Sequence, residues 1–213
     1  PAGTLNISGG EIEGATAVYS KCGTTNITGG TIKGTGAKAA FAHSNNGCSA
    51  TGDAIVIEAC NYPNGNPTVY ISNGTFESAN ADAIAYYQVQ TYEAEEIAVS
   101  GGSFSSEVDQ AYCADGFVPA TDENGKYTGT PDATENEAMV TKADGTKTVY
   151  ETLTEALTAA GNGDTVTLLQ DVETTDRIDL PAGVTLDGQD HKLTLKTDVT
   201  ALGGGVFNII KNN

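Results

Sequence analysis

Arg177 stands between Asp176 and Asp179, and a little further on the run LDGQDHKLTL brings Asp187, Asp190 and His191 together. A base beside carboxylates is the raw material of general acid–base chemistry, because imidazole titrates near neutrality and an acid can hold it in one orientation. Both groups also have simpler readings. Arg177 reads as a surface ion pair, and the Asp187–His191 run reads as a turn between strands. His43 follows the aromatic Phe41 and reads as a solvent or ladder position. Cys22, Cys48, Cys60 and Cys113 form no CxxC pair and have no His at zinc-ligand spacing. No metal site is therefore expected of them. Buried free thiols are expected instead, and Cys60 has no His nearby in sequence to make it a nucleophile. Asp122-Glu123-Asn124-Gly125 has the look of a calcium loop but lacks the full spacing and the closing Glu, so it reads as a turn. No catalytic residue and no cofactor is expected, with calcium the cation the acids would attract.

Binding is the milder chemistry. Sugars stack on exposed aromatic rings, and Tyr62, Tyr70, Tyr86, Tyr87 and Tyr92 make the densest aromatic stretch in the chain. Strand alternation puts Tyr86 inward and Tyr87 outward. Tyr87 and Tyr92, with Glu93, Glu95 and Glu96 on the loop that follows, are the candidate ligand-binding patch. A core-plus-turn reading of the same residues stands beside it.

Charge narrows the partners. The chain of 213 residues carries 28 acids and 10 bases, a net charge of −18. The excess is shared evenly by the two halves, so it is not an acidic tail. Such a chain repels nucleic acid and anionic lipid. No apolar run approaches the ~20 residues of a membrane span, and no signal peptide is expected in this stretch, which starts inside a repeat. The chain reads as cut from something longer.

The elements that position these residues come from a repeat. NISGGEI, NITGGTI, YISNGTF and AVSGGSF place a Ser or Thr at Ser8, Thr28, Ser72 and Ser100, with steps of 20, 44 and 28 residues. The long step suggests a degraded or missing copy. A second phrase, GATAVYSKC, GAKAAFAHS, GDAIVIEAC and ADAIAYYQV, aligns Tyr19, Phe41, Ile57 and Tyr86 in one column and Cys22, Ser44, Cys60 and Val89 in another. Asn-Ile-Ser alternates with period two, Gly-Gly marks a bulge or bend, and a Thr-Ile or Thr-Phe pair resumes the strand. Pieces this short are stable only when stacked, pairing in parallel at ~4.8 Å and burying one core. The expected ladders are Ile7, Ile27, Ile71 and Val99, and Ile12, Ile32, Phe76 and Phe104. The expected fold is all-β, a right-handed parallel β-helix. The SNNGCSATG run is left as either a loop or part of a shared turn. A Cys22–Cys60 disulfide is within reach only if their coils are direct neighbours.

Residues 118–137 read as a closing hairpin and a linker, with Asn124-Gly125 as the hairpin turn and 128–137 as the linker. Beyond it, Leu153, Ala156, Leu157 and Ala160 recur at i, i+3, i+4 and i+7, which predicts a short amphipathic helix near 150–160 that stops at Gly161. DTVTLLQDV, RIDL, VTLDG and KLTLK read as strands. The expected layout is coils over 1–117, the hairpin and linker over 118–137, and a capping helix with first coils of a second segment over 138–213.

The stretch from Gly65 to Gly129, with its rungs and its Asp115-Gly116-Phe117 and Asn124-Gly125-Lys126-Tyr127 ending, resembles the closing coils of pectate-lyase-like β-helix domains in large surface proteins of gut-type anaerobic bacteria. Tyr150 to about Leu195 resembles the opening of the same superfamily, where a Y-x-T-L-x-E-A helix caps the solenoid. The resemblance implies an extracellular or cell-surface location and a module with polysaccharide or host glycan as partner. Two open solenoid ends are expected with it, at Pro1–Gly10 and Phe207–Asn213, which pair either between molecules, as self-association, or within one compact molecule. The superfamily includes polysaccharide lyases, which use an Arg or Lys base with acids that hold calcium, and glycoside hydrolases, which use clustered Asp side chains. Lys21, Lys33 and Lys38 lie in different turns and show no pairing with acids in sequence. A non-catalytic scaffold or glycan-adhesion module is therefore expected, with a carbohydrate-active enzyme as the alternative.

Overall fold

The structure, a computed structural model, describes residues 3–63 and 65–196 and the backbone of 206–207. The chain is mostly β, with one α-helix among the described residues. It divides into two compact units, residues 1–114 with 118–130, and residues 115–117 with 131–213.

In the first unit β1 (Thr4–Gly14), β3 (Gly23–Gly34) and β5 (Pro67–Ser78) run parallel and side by side. β7 (Glu96–Val99) and β8 (Ser103–Phe104) continue the two halves of β5, also in parallel. The register sets Ile7 against Ile27, Ile27 against Ile71, and Ile71 against Val99. Ile12, Ile32, Phe76 and Phe104 form the second ladder. These are the two apolar columns read from the repeated phrase. Period-two alternation produces them, since each inward residue finds its equivalent one strand away. Ile27, Ile32, Ile71, Phe76, Val99 and Phe104 are fully buried.

The phrase also carries a bulge. Pairing slips between Ile7 and Glu11 in β1 and between Ile27 and Thr31 in β3, where the Gly pair sits. The second glycine of each copy, Gly10, Gly30, Gly74 and Gly102, has φ of 81°, 95°, 115° and 104°. A side chain is strained there, so the position stays Gly while the first varies to Asn73.

The 44-residue step holds no missing strand in this sheet. β3 pairs directly with β5, and residues 35–54 make an excursion before β4 (Ile55–Ala59). β2 (Val18–Ser20), β4 and β6 (Ile84–Gln88) form a separate parallel sheet. Its register corrects the column read from the second phrase. Ile57 does pair with Tyr86, but Tyr19 pairs with Val56 and Ser20 with Ile57. Phe41 lies on the excursion, which has no strand. All four cysteines are free thiols, so Cys22 and Cys60 are not bonded although β2 and β4 are neighbours.

β9 (Phe117–Thr121) and β10 (Tyr127–Pro131) close the chain's first sheet. The Asp122 carboxylate accepts the N–H groups of Asn124 and Lys126, both at 2.8 Å, and Gly125 takes φ 74°. The run with calcium-loop character is thus a turn stapled by its own aspartate. The reading of 128–137 as a linker is corrected over 128–131, which pair within β10 because a hairpin needs a second arm.

In the second unit β11 (Ala138–Thr141) lies antiparallel to both β12 (Lys147–Tyr150) and β13 (Thr165–Leu168). β13 then pairs in parallel with β15 (Thr185–Asp187), and β15 with β17 (Val206–Phe207). β14 (Val172–Thr174) pairs in parallel with β16 (Leu193–Leu195). The expected strand at RIDL is absent. Residues 177–180 form no strand, yet Ile178 and Leu180 are buried, so they serve the core and not a sheet. Helix α1 (Leu153–Ala159) is capped by Thr152, whose hydroxyl accepts the Glu155 N–H while the Glu155 carboxylate returns to the Thr152 N–H. Its face of Leu153, Ala156 and Leu157 is buried in the core with Val140, Val166 and Leu186. The open end expected over Phe207–Asn213 lies outside the residues whose side chains are described.

Asp164, 6 % exposed, accepts from Lys142 Nζ at 2.9 Å and from the Gly161 N–H at 2.8 Å. The Lys142 ammonium, with that N–H, holds the Asp164 carboxyl below the usual carboxylate range. A depressed acid stabilises the fold above its ordinary range, and the contribution fades as pH falls through the depressed value. Thermal unfolding of an Asp164→Asn variant against pH is expected to show a lower midpoint near neutrality and a shallower loss on acidification than the parent.

Candidate functional site

The side chains that converge most closely sit on the β2–β4–β6 sheet. Within β4, Ile55 and Ile57 point into the core, so Val56, Glu58 and, just past the strand, Cys60 share the opposite face. That face is also closed off: Val56 and Glu58 are 0 % exposed and Cys60 8 %. The excursion lies over it. Ala39 N–H donates to Thr51 O at 3.1 Å, and Lys21 Nζ donates to the carbonyls of Ser44 and Gly47 at 2.6 and 3.0 Å. Phe41 stacks on Tyr87 with ring centroids 4.2 Å apart and planes 6° apart.

Glu58 is the centre of the arrangement. Its Oε2 accepts from the Tyr19 hydroxyl at 2.5 Å. Its Oε1 lies 2.6 Å from His43 Nδ1 and 3.4 Å from Lys21 Nζ. His43 Nε2 lies 2.9 Å from Asn45 Oδ1. Burial by itself would raise the Glu58 carboxyl; the Tyr19 hydroxyl, His43 and the Lys21 ammonium outweigh it and hold the carboxyl below its usual range. Hydrogen bonding to Glu58, then to Asn45, raises His43. Burial, then the Glu58 charge, pushes the Cys60 thiol up. Burial and the bond to Glu58 raise Tyr19 as well.

This chemistry is that of a satisfied buried charge. Glu58 is committed to three donors and is a poor proton acceptor. Cys60 directs its thiol at Glu58 and is held protonated, the opposite of an activated nucleophile.

The five residues read from sequence as a ligand patch are placed apart in role. The Tyr87 ring has Phe41 on one face, and its hydroxyl donates to Asp53 Oδ2 at 3.3 Å; it is half-buried. Burial, then Asp53, raises its hydroxyl. Tyr92, half-buried, sits in the turn after β6, its N–H on Val89 O at 3.2 Å. Glu93 and Glu95 are exposed on the segment leading into β7, and Glu95 N–H donates to Pro67 O at 2.9 Å. Tyr70 is better presented. It alternates outward between the fully buried Val69 and Ile71, is 39 % exposed, and donates its hydroxyl to Glu96. Asn26 precedes it in the same column and bonds Asn6 at 2.8 Å.

The remaining titratable groups follow their simple readings. Arg177 Nε donates to Asp179 Oδ1 at 2.8 Å with both side chains half exposed. Asp187 accepts the Gln189 N–H at 2.9 Å in a turn, and His191 Nδ1 stands 3.8 Å from Asp171. The lysines do pair with acids, contrary to the sequence expectation. Lys21 meets Glu58, Lys33 meets Glu11 at 2.6 Å, and Lys38 meets Asp82 at 3.6 Å. Each pair joins neighbouring passes of the chain, so the partners are far apart in sequence. Glu58 itself escaped sequence reasoning; its signal is a lone acid in the apolar run AIVIEAC.

No family model, curated protein or solved structure matches the chain.

Proposed function

We propose that the chain is part of a right-handed parallel β-helix that acts as a non-catalytic scaffold or glycan-adhesion module of an extracellular or cell-surface protein. The observation that carries this reading is the continuous register of equivalent residues, Ile7 to Ile27 to Ile71 to Val99 inward and Asn6 to Asn26 to Tyr70 outward. Stacking of this kind makes a stiff body whose outer face repeats at the strand spacing. On that face the Tyr70 ring is offered for stacking against a sugar, and the Asn6 and Asn26 amides lie beside it as donors and acceptors. Tyr92, Glu93 and Glu95 extend the surface along the segment leading into β7, while Tyr87 serves chiefly to seat the excursion. Polysaccharide or host glycan is the partner class. The charge of −18 disfavours nucleic acid, and no described helix is long and apolar enough to cross a membrane. The rung phrases and their likeness to bacterial surface β-helix domains support the location. Among the described residues β1 pairs on one side only, and Leu5 on it is 47 % exposed where its partner Thr25 is 4 %. Self-association through such an edge belongs to the same proposal.

The test is incubation with a panel of acidic and neutral polysaccharides, with and without calcium, measuring retained protein and released sugar together. Retention without release is expected, weakened roughly fivefold by Tyr70→Ala through loss of stacking. Release of unsaturated or reducing ends would replace this reading with a lyase or hydrolase. Neither retention nor release would remove the adhesion role and leave the scaffold.

A further inference from the structure

His43, Glu58 and Cys60 present one nitrogen, one oxygen and one sulfur that all lie within 4.8 Å of one another. We propose that these three side chains form a binding site for a divalent cation of the zinc class. Three observations carry the proposal independently of the glycan reading.

The first is the donor set and its origin. Glu58 and Cys60 stand two apart at the end of β4, so they project from one face of an extended strand, and His43 descends on them from the excursion. Mixed imidazole, carboxylate and thiolate ligation suits zinc and its spectroscopic substitute cobalt, and does not suit calcium or magnesium, which take oxygen ligands. Ligand atoms around tetrahedral zinc are roughly 3.3–3.8 Å apart, given bonds of about 2.0–2.3 Å. To share an ion, His43 Nδ1 and Glu58 Oε1, 2.6 Å apart, part by roughly 0.7 Å, and the widest of the three separations closes by about 1 Å.

The second observation is an outer layer already in place. Tyr19 holds Glu58 Oε2 at 2.5 Å and leaves Oε1 facing His43. Asn45 Oδ1 lies 2.9 Å from His43 Nε2, a position that accepts the Nε2 proton and leaves Nδ1 to coordinate. Metal-bound histidines are commonly fixed by such a bond on the far nitrogen.

The third observation is access. Glu58 is fully buried and Cys60 nearly so, but the His43 side chain is 31 % exposed. The His43 side is therefore the side from which an ion would reach the three groups.

Lys21, 3.4 Å from Glu58 Oε1, is the group that opposes a cation. It has partners of its own in the Ser44 and Gly47 carbonyls and need not leave. Binding displaces the Cys60 thiol proton and takes the His43 Nδ1 out of its hydrogen bond to Glu58.

The experiment is titration of the metal-free chain with Co²⁺, followed by absorption and by competition with Zn²⁺. One equivalent is expected to bind with a thiolate-to-cobalt band in the near ultraviolet, and Zn²⁺ is expected to abolish it. Cys60→Ser should remove the band, and His43→Asn should weaken binding at least roughly tenfold. Cys48→Ser, which alters the exposed thiol, should change neither. Absence of the band in the parent, its survival in Cys60→Ser, or its loss in Cys48→Ser would each overturn the proposal. Circular dichroism of Cys60→Ser matching the parent confirms that the loss is of a ligand and not of the fold.

Discussion

Glu58→Ala is expected to destabilise the first unit by about 3 kcal/mol, the lower end of what breaking a buried charge pair costs. The substitution leaves the Tyr19 hydroxyl without its acceptor and removes the carboxylate that holds His43 and Lys21. The loss stays at the lower end because Lys21 keeps two carbonyl partners and His43 reaches solvent. Urea unfolding of the metal-free protein, parent against variant, measures it. The difference should also depend on pH with a definite sign. His43 is raised, so its share of the pairing is complete below the ordinary imidazole range and is lost as pH rises through its folded value. Glu58 is depressed, so its share is complete above the ordinary carboxylate range and is lost as pH falls through its folded value. The two windows overlap in mildly acidic solution, where the variant should differ most from the parent. A difference below about 1 kcal/mol throughout that range would mean that the excursion is anchored by something other than Glu58.

Phe76→Ala is expected to cost about 4 kcal/mol. Phe76 is fully buried at the middle of its ladder and stacks on Phe104 with centroids 4.7 Å apart and planes 9° apart. Removing the ring deletes its transfer energy and opens a cavity between neighbouring strands, which a stack held by ladder hydrogen bonds cannot collapse to fill. Phe104→Ala should cost less, since Phe104 lies on a two-residue strand at the end of the column. The double variant should fall short of the sum by roughly 1 kcal/mol, the worth of the ring pair beyond its buried area. Denaturant midpoints of the three variants give the cycle. A fully additive result would show that the rings do not touch.

The inward columns were legible in the sequence because a half-buried strand must alternate, and the phrase repeats that alternation together with its Gly bulge. Ile7, Ile27, Ile71 and Val99 could be aligned by eye for that reason. The helix was legible because Leu153, Ala156 and Leu157 keep helical spacing and Gly161 follows, while its Thr152–Glu155 capping box emerged only in the structure. The GAKAAFAHS copy misled because resemblance to GATAVYSKC and GDAIVIEAC does not say which copies pair. β2 pairs directly with β4, so the intervening copy has no place between them and becomes a cover. The one-residue slip between Tyr19 and Ile57 has a similar origin. β2 is only three residues long, so its own sequence does little to specify a register, and the Thr51 N–H donates to the Thr16 hydroxyl just ahead of it. The Glu58 cluster was illegible because its partners Tyr19, Lys21 and His43 come from other passes of the chain. Only the register and the path of the excursion bring them together.

The central claim is that equivalent rungs stack directly, with β3 on β5 across the 44-residue step. Methyl-resolved nuclear Overhauser spectroscopy on isoleucine-labelled protein tests it most directly. The account predicts cross-peaks from Ile27 to both Ile7 and Ile71, the neighbours on either side in one ladder. An Ile27 signal that lacks the Ile71 contact, and reports instead a strand formed by residues 37–50 between them, would contradict it.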